Sequence, residues 1–138
     1  MKPITVPKLK AKKQAGEKIV MLTCYDATFA SVLEQTDVDC LLIGDSLGMV
    51  IQGQASTLPV TVEDIIYHTR CVVRQTSQKL IIADLPFMSY QSSPSQALLA
   101  AGRALKEGGA QAVKIEGGME MVKTVQLMVA AGIPVMAH

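Results

Sequence analysis

Five short apolar segments, separated by stretches with helical spacing, limit what this chain can fold into more than any other feature. They cover residues 18–23, 39–43, 80–83, 112–115 and 134–137. Short runs of this kind are typical of strands in parallel sheets, where both faces of the sheet are covered. Strands that alternate with helices predict an α/β fold with right-handed crossovers.

Capping signals place helices after the first two strands. Asp26 stands directly before a predicted helix over 27–35, where its carboxylate can accept from the free amides of the first turn. The string Thr61-Val62-Glu63-Asp64 resembles a capping box and opens a second helix. His68 lies within that helix, and we interpret it as a surface or capping histidine rather than a metal ligand.

Similar signals mark the remaining helices. Residues 1–16 are rich in lysine and predict a short amphipathic helix. Its charged side is interpreted as a solvated face, and the alternative is that the helix covers the bottom of the fold. Ser93-Pro94 supplies an N-cap and a first helical residue, and Gly108-Gly109 ends that helix. A last helix is predicted over 119–131.

Each of three middle strands ends at an acidic residue. Asp45 follows the second strand after one glycine, Asp84 follows the third, and Glu116 follows the fourth. The carboxyl ends of parallel strands meet at one rim of the sheet, which is where ligands bind in such folds. We therefore expect these three acids, distant in sequence, to lie close together.

Strand periodicity suggests which residues share a face with the acids, because successive side chains point to opposite sides. The rows predicted to point the same way are Leu41, Ile43 and Asp45, then Leu80, Ile82 and Asp84, then Lys114 and Glu116. The connection over 46–59 is longer than the usual 2–6 residues of a strand-to-helix loop. A long loop at this rim predicts a lid or a binding loop.

Converging carboxylates indicate a cation site. Like charges brought together raise at least one pKa, and a divalent cation relieves the repulsion. Oxygen ligands without a cysteine or histidine pair favour a hard ion, most simply Mg²⁺. Lys114 adds a positive charge suited to an anionic substrate. The competing interpretation is that each acid only caps the helix that follows it.

Composition excludes several other classes of protein. The chain is 49% apolar and 18% charged, so it can form a core, and its net charge of +1 offers no basic field for nucleic acid. No apolar run approaches the roughly 20 residues of a membrane span. The three cysteines lack metal-binding spacing and are expected to be core thiols in a reducing cytosol.

Several strings around these positions resemble the ketopantoate hydroxymethyltransferases, in order along nearly the whole chain. The family is that of 3-methyl-2-oxobutanoate hydroxymethyltransferase in pantothenate synthesis. The strings are Thr23-Cys24-Tyr25-Asp26, Gly44-Asp45-Ser46-Leu47-Gly48-Met49, Ser56-Thr57-Leu58-Pro59-Val60-Thr61, Ala83-Asp84-Leu85-Pro86-Phe87-Met88 and Val113-Lys114-Ile115-Glu116-Gly117-Gly118.

The resemblance implies a fold and a reaction. The fold is a (β/α)8 TIM barrel of the phosphoenolpyruvate mutase/isocitrate lyase type, with 1–138 the N-terminal part of a single barrel domain that contains its first five strands. The reaction moves a hydroxymethyl group from 5,10-methylenetetrahydrofolate to 3-methyl-2-oxobutanoate through a Mg²⁺-stabilised enolate, giving 2-dehydropantoate. The family also implies a cytoplasmic homodecamer without nucleic-acid or membrane partners.

The resemblance also assigns roles to residues. The metal ligands it implies are Asp45, Asp84 and Glu116, the last of these through water. The substrate contacts it implies are Asp45, Ser46, Asp84 and Lys114. His138 matches a histidine at the rim after the fifth strand.

The chain departs from the family in length. A barrel of this type needs about 250 residues, and the general base of the family, a glutamate on a later strand, is expected beyond residue 138. We therefore assign no catalytic base within this chain and expect the isolated 138 residues to be inactive.

Three alternatives remain open from the sequence. The first is another Mg²⁺-dependent 2-oxo acid lyase or mutase of the same superfamily. The second is a phospho-acceptor receiver domain, a five-stranded module of similar length with acids and a lysine at its rim. The third is a non-catalytic half-barrel that only binds a metal or a partner subunit.

Overall fold

A computed structural model describes residues 3–138 and confirms the alternation of strands and helices. The strands are β1 Met21–Thr23, β2 Cys40–Ile43, β3 Leu80–Asp84, β4 Ala112–Ile115 and β5 Val135–Ala137. The helices are α1 Val6–Gln14, α2 Ala27–Glu34, α3 Leu47–Val50, α4 Val62–Val73, α5 Pro94–Arg103 and α6 Val122–Ala130. A π-helical turn, Ala104–Gly108, extends α5, and a 3-10 turn, Met119–Met121, leads into α6.

The five strands form one parallel sheet in sequence order, β1-β2-β3-β4-β5. A receiver domain has the doubly wound order 2-1-3-4-5, in which the chain reverses direction across the sheet. Consecutive order is instead that of a (β/α)8 barrel, where each crossover advances the sheet by one strand. The receiver alternative is therefore wrong.

The main core lies between one face of the sheet and the helices. The buried sheet residues on this side include Leu41, Ile43, Ile81, Val113 and Ile115, and the helices α2, α4, α5 and α6 pack against them. A smaller apolar cluster occupies the opposite face, where Ile4, Val6 and Leu9 at the N-terminus pack on Cys40, Leu80, Ile82 and Ala112.

The register corrects the expected face of the second strand. Leu41 pairs with Ile81 and Ile43 with Ala83, so the Leu41 row faces the helices and not the side that Leu80 and Ile82 share with Asp84. The prediction was wrong because β2 ends at Ile43, and Asp45 belongs to the following turn. A turn, rather than strand alternation, therefore sets the direction of the Asp45 side chain.

The predicted first helix is present in its described part, and it covers the N-terminal end of the sheet, which was the less favoured of the two interpretations. Lys12 Nζ lies 2.7 and 2.8 Å from the two carboxylate oxygens of Asp39, just before β2. Asp39 also accepts a hydrogen bond of 2.9 Å from the Val20 amide. The prediction for Met1 and Lys2 lies outside the described residues.

The predicted caps are present. Asp26 Oδ1 accepts from the Phe29 amide at 2.9 Å, and Ser93 Oγ accepts from the Gln96 amide at 3.2 Å. Thr61 and Asp64 form the reciprocal capping box of α4. The short helix α3 was missed, because four residues are too few to show a helical pattern inside a segment expected to be a loop.

Among the described residues, the sheet has two open edges, formed by β1 and β5. β1 and β5 each pair with one neighbouring strand. Four apolar residues before and within β1 are between 38% and 45% exposed: Ile19, Val20, Met21 and Leu22.

All three cysteines are free thiols, as predicted, and two of them are buried. Among residues 3–138, every helix is too short or too polar to traverse a lipid bilayer.

Candidate functional site at the strand ends

The three acids predicted to converge line one cavity at the carboxyl ends of β2, β3 and β4. The cavity has a volume of about 200 Å³ and is lined by Asp45, Asp84 and Glu116 together with Thr57, Leu58, Leu85, Phe87, Tyr90 and Gln91. The expected convergence is therefore confirmed, although Asp45 reaches the cavity from a turn and not from the end of a strand row.

Lys114 ties two of these acids together. It pairs with Asp84 across the β3–β4 register, and its Nζ lies 2.7 Å from Asp84 Oδ2 and 2.6 Å from Glu116 Oε1. The side chains of Lys114 and Asp84 are only 10% and 12% exposed, whereas that of Glu116 is 57% exposed. A buried ion pair with one solvent-facing partner thus occupies the centre of the site.

The second carboxylate oxygen of Asp84 has no partner. Asp84 Oδ1 is buried and makes no hydrogen bond within the described part of the chain. Burial raises the pKa of Asp84 to about 6, with Glu116 and Asp45 adding to the rise and Lys114 opposing it. An uncompensated oxygen beside two further acids makes this side chain receptive to a cation.

The two charged groups beside Asp84, Lys114 and Glu116, are each held in their charged form. Burial disfavours the charged form of Lys114, but its hydrogen bonds to Asp84 and Glu116 outweigh burial and raise its pKa above the ordinary value. Hydrogen bonds from Lys114 and His138 hold the pKa of Glu116 below its usual range. Lys114 and Glu116 are therefore both charged near neutral pH, and Asp84 is the group under electrostatic stress.

The donor set suits Mg²⁺ in its chemistry. Carboxylate oxygens are the ligands that hard divalent cations prefer, and Asp84 Oδ1 is an oxygen with a free lone pair. Within residues 3–138, however, no three histidine, cysteine or acidic side chains are already grouped around a common centre. The Lys114 ammonium stands between Asp84 and Glu116, so the metal assignment of Asp45, Asp84 and Glu116 stays a prediction.

The Ser46 side chain lies near Asp84, and Gly44 leaves space between the two. A Cβ atom added to Gly44 would lie 3.4 Å from Ser46 Oγ and 3.8 Å from Asp84 Oδ2. The Ser46 hydroxyl and the Asp84 carboxylate therefore flank the same small residue. Tyr25, in the turn after β1, places its hydroxyl 2.6 Å from Ser46 Oγ.

His68 supports this region from behind. Its Nδ1 lies 2.7 Å from the backbone oxygen of Tyr25, and because a carbonyl only accepts, Nδ1 is the donor. The side chain is half-buried between α4 and the turn after β1. The expectation of a surface or capping histidine is therefore wrong. His68 instead anchors the loop that carries Tyr25.

The site also contains two tyrosines, Tyr25 and Tyr90, which the sequence analysis did not identify as site residues. The Tyr90 hydroxyl accepts a hydrogen bond of 3.2 Å from the Glu116 amide, and Tyr90 is only 5% exposed. His138 is largely exposed and lies 3.1 Å from Glu116 Oε1 through its Nδ1, so the structure places it beside the acids. A tyrosine in a rim loop carries no periodic signal, and only its position in space identifies it.

The loop between β3 and α5 holds one wall of the cavity in a constrained shape. Met88 has a φ of +62°, which is unusual for a residue other than glycine. Ser89 donates to the Pro86 oxygen at 2.6 Å, and Gln96 donates to the Met88 oxygen at 3.0 Å. These bonds present Phe87, 53% exposed, at the mouth of the cavity.

The loop between β2 and α4 forms the opposite wall. It packs closely at Gly48, where an added Cβ would come within 2.6 Å of Val60 Cγ2. Leu58, 61% exposed, projects from this loop at the mouth of the cavity. The segment therefore lines the cavity through Thr57 and Leu58, and its role as a lid or binding loop stays a prediction.

Comparison with known families and sequences points to one group of enzymes. The family model for ketopantoate hydroxymethyltransferase matches residues 3–138. A 3-methyl-2-oxobutanoate hydroxymethyltransferase from Thiobacillus denitrificans is 58% identical over 136 residues, which are 99% of this chain and 52% of that protein. One from Carboxydothermus hydrogenoformans is 53% identical over 138 residues, 100% of this chain and 50% of its own length.

Comparison with solved structures supports the fold. A 2,3-dimethylmalate lyase, a member of the PEP mutase/isocitrate lyase superfamily, matches with a TM-score of 0.70 at 18% identity over 99% of this chain and 51% of its own. An oxaloacetate acetylhydrolase matches with a TM-score of 0.73 at 13% identity over 99% and 54%. These likenesses support the predicted barrel-type α/β fold. The chain spans about half the length of the relatives it matches.

Proposed function

The chain belongs to the ketopantoate hydroxymethyltransferase family, and on this basis we propose that it supplies the metal- and substrate-binding half of such an enzyme. The proposed reaction transfers a hydroxymethyl group from 5,10-methylenetetrahydrofolate to 3-methyl-2-oxobutanoate and yields 2-dehydropantoate. The observation that carries the proposal is the buried Asp84–Lys114 pair at the strand ends, with its unpaired carboxylate oxygen.

The proposed roles follow from charge and position. Lys114 is the buried cation at the cavity and can pair with the carboxylate of a 2-oxo acid. Ser46, beside Asp84, can donate its hydroxyl hydrogen to an oxygen of the same substrate. Asp45, Asp84 and Glu116 are proposed to hold Mg²⁺, with Asp45 and Asp84 also facing the substrate. Bound there, Mg²⁺ would act as a Lewis acid that stabilises negative charge developing on the ketone oxygen.

Proton removal is assigned to no residue of this chain. The base must reach the carbon next to the ketone, and a positioned base must lie within hydrogen-bond distance of the proton that it removes. We propose that a later strand of a complete barrel supplies this group as a glutamate. His138 contacts Glu116 at the rim. We propose that its hydrogen bond keeps the Glu116 carboxylate charged, and that His138 does not act as the base.

A cytoplasmic location and a homodecamer are also part of the proposal. Free thiols suit a reducing cytoplasm. Large apolar side chains on the outer helices suit contacts between copies in a homodecamer, among them Phe29, Val32 and Leu99, which are between 57% and 71% exposed.

The function can be tested in a chimeric enzyme, in which residues 1–138 are followed by the second half of the Thiobacillus denitrificans relative. We expect this protein to form 2-dehydropantoate from 3-methyl-2-oxobutanoate, and to require both 5,10-methylenetetrahydrofolate and Mg²⁺. Product formation is measured by coupled assay or mass spectrometry. A folded chimera that cleaves or rearranges 2-oxo acids without folate would favour the lyase or mutase alternative, and one without activity would contradict the proposal.

Metal binding is expected to depend on Asp84. In the chimeric enzyme, Asp84→Asn should weaken Mn²⁺ binding by about tenfold or more, because the amide replaces the charged oxygen that lacks a partner. Water-proton relaxation measures the affinity, with Mn²⁺ as the probe. Asp37→Asn, an exposed acid at the opposite end of the sheet, is the matched control and should bind Mn²⁺ normally. Equal affinities in the two variants would remove Asp84 from the site.

A further inference from the structure

We propose that Tyr25 is a positioning residue that holds the Ser46 hydroxyl as a hydrogen-bond donor toward the bound 2-oxo acid. The inference rests on the proposed function, because it gives a direction to the contact between Ser46 and the substrate. It concerns a side chain that the resemblance did not assign, and its evidence is the hydroxyl pair between the first two strand-end turns.

The contact is short and joins neighbouring turns. Tyr25 lies in the turn between β1 and α2, and Ser46 lies in the turn between β2 and α3. Their oxygens are 2.6 Å apart although the residues are 21 positions apart in sequence. Such a distance is near the short end for a hydrogen bond between two hydroxyl groups. Because β1 and β2 are adjacent and parallel, the two turns leave the sheet side by side.

The direction of the hydrogen bond follows from the acidity of the two groups. A phenol hydroxyl is a stronger hydrogen-bond donor than an aliphatic hydroxyl, so we assign Tyr25 as the donor and Ser46 Oγ as the acceptor. Ser46 then keeps its own hydrogen, and within residues 3–138 its side chain makes no other hydrogen bond. Ser46 Oγ and Asp84 Oδ2 lie on the same side of Gly44, so this hydrogen can be directed to an anionic or developing negative oxygen bound next to Asp84.

The reverse direction would leave the site less useful. If Ser46 donated to Tyr25, its oxygen could only accept, and it would present lone pairs to a negatively charged substrate next to the Asp84 carboxylate. A donor at this point offsets part of the negative charge that Asp45 and Asp84 place in the cavity. Tyr25 therefore acts through Ser46 and does not itself need to touch the substrate.

The fold fixes Tyr25 on both sides. His68 donates to its backbone oxygen at 2.7 Å, and the amide of Cys24, directly before it, donates to the Leu42 oxygen at 3.0 Å. Asp26, directly after it, caps α2 through the Phe29 amide at 2.9 Å. Hydrogen bonds at three successive residues, two through the backbone and one through the Asp26 side chain, hold this turn in place and keep the phenol beside Ser46.

The main test is a double-mutant cycle in the chimeric enzyme. Tyr25→Phe should lower kcat/KM for 3-methyl-2-oxobutanoate by roughly 5- to 30-fold, the loss expected for one hydrogen bond. Ser46→Ala should have a similar or larger effect. The double variant should be no worse than Ser46→Ala alone, because Tyr25 then has nothing to position. Tyr67→Phe, an exposed tyrosine on α4, is the matched control and should retain full activity.

Two outcomes would overturn the inference. An unchanged kcat/KM in Tyr25→Phe would show that the phenol does not matter. Losses that multiply in the double variant would show that Tyr25 and Ser46 act independently, as expected if Tyr25 only supported the fold.

Calorimetry with 3-methyl-2-oxobutanoate separates this inference from the proposed function. If the parent chimera binds the acid without turning it over, the same cycle is read from the Kd values. In that case the transferase proposal fails, while the positioning role is confirmed or contradicted by the coupling between Tyr25 and Ser46. If the parent neither binds nor converts the acid, both proposals are wrong.

Discussion

Replacing Lys114 by alanine in the chimeric enzyme is expected to lower kcat/KM for 3-methyl-2-oxobutanoate by about two to three orders of magnitude. The ammonium is buried in the site and bonds to Asp84 at 2.7 Å and Glu116 at 2.6 Å. Its removal takes away the cation proposed to receive the substrate carboxylate. It also leaves the buried Asp84 without its opposing charge, so the pKa of Asp84 rises further above its ordinary value.

Steady-state kinetics with a melting curve on each protein separates a role in the site from a role in the fold. Lys79→Ala is the matched control, since Lys79 is also buried, at 7% exposure, but its Nζ donates to the Thr36 oxygen near the start of β3, away from the acids. We expect the control to lose thermal stability and keep its kinetic constants. Equal kinetic losses in both variants, or none in Lys114→Ala, would contradict the role.

The second large effect concerns the 138 residues on their own, which we expect to have no measurable transferase activity and to self-associate. A positioned general base is worth about 10²–10⁴ in rate, and we assign none within the chain. The sheet has two open edges, each with unpaired backbone groups that can pair with another copy.

Apolar surface adds to this expectation. A groove of about 440 Å³ lies on the sheet face opposite the main core, where Val135 and Met136 are only half-buried. Ile19 and Leu22, at the β1 edge, are 43% and 45% exposed. Leaving a large apolar side chain in water costs about 1.5–3 kcal/mol. A few such side chains rival the 5–15 kcal/mol that stabilises a typical domain. Leu41 and Ile43 are fully buried under the helices and do not contribute. Leu80 and Ile82 are also buried, because the N-terminal segment packs on them, so the expectation of an uncovered apolar row at these four residues is wrong.

Size-exclusion chromatography with light scattering, together with the assay for 2-dehydropantoate, tests both parts. The chimeric enzyme serves as the reference, because it supplies the later strands from the relative. A monodisperse monomer of residues 1–138 that melts cooperatively and turns over at a near-normal rate would show that our argument is wrong.

The sequence predicted the parts of this fold that local chemistry determines. Apolar segments gave the strands to within a few residues, and caps such as Asp26 and Ser93 gave the helix starts, because each signal lies within a few positions of its effect. The convergence of the acids was also predictable, since parallel strands place their carboxyl ends together. The direction of each acidic side chain, however, could not be predicted from its position at the rim, because Asp45 lies in a turn.

The remaining features depend on how separate segments pack. We inferred the face of Leu41 and Ile43 from the position of Asp45. That inference failed because β2 ends at Ile43, and alternation alone does not show where a strand ends. The Tyr25–Ser46 contact joins two turns that approach only when β1 pairs with β2. The pairing of Lys114 with Asp84 likewise requires the β3–β4 register.

The sequence order of the strands also bears on how such a chain folds during synthesis. Each strand pairs with the one made just before it, as when Cys40 joins Met21 and Val135 joins Val113. Chains emerge from the ribosome N-terminus first, so each strand can find a neighbour that has already been made. The sheet can therefore grow one strand at a time as the polypeptide lengthens. In a closed barrel, the edge at Met21–Thr23 would be the first made and the last covered.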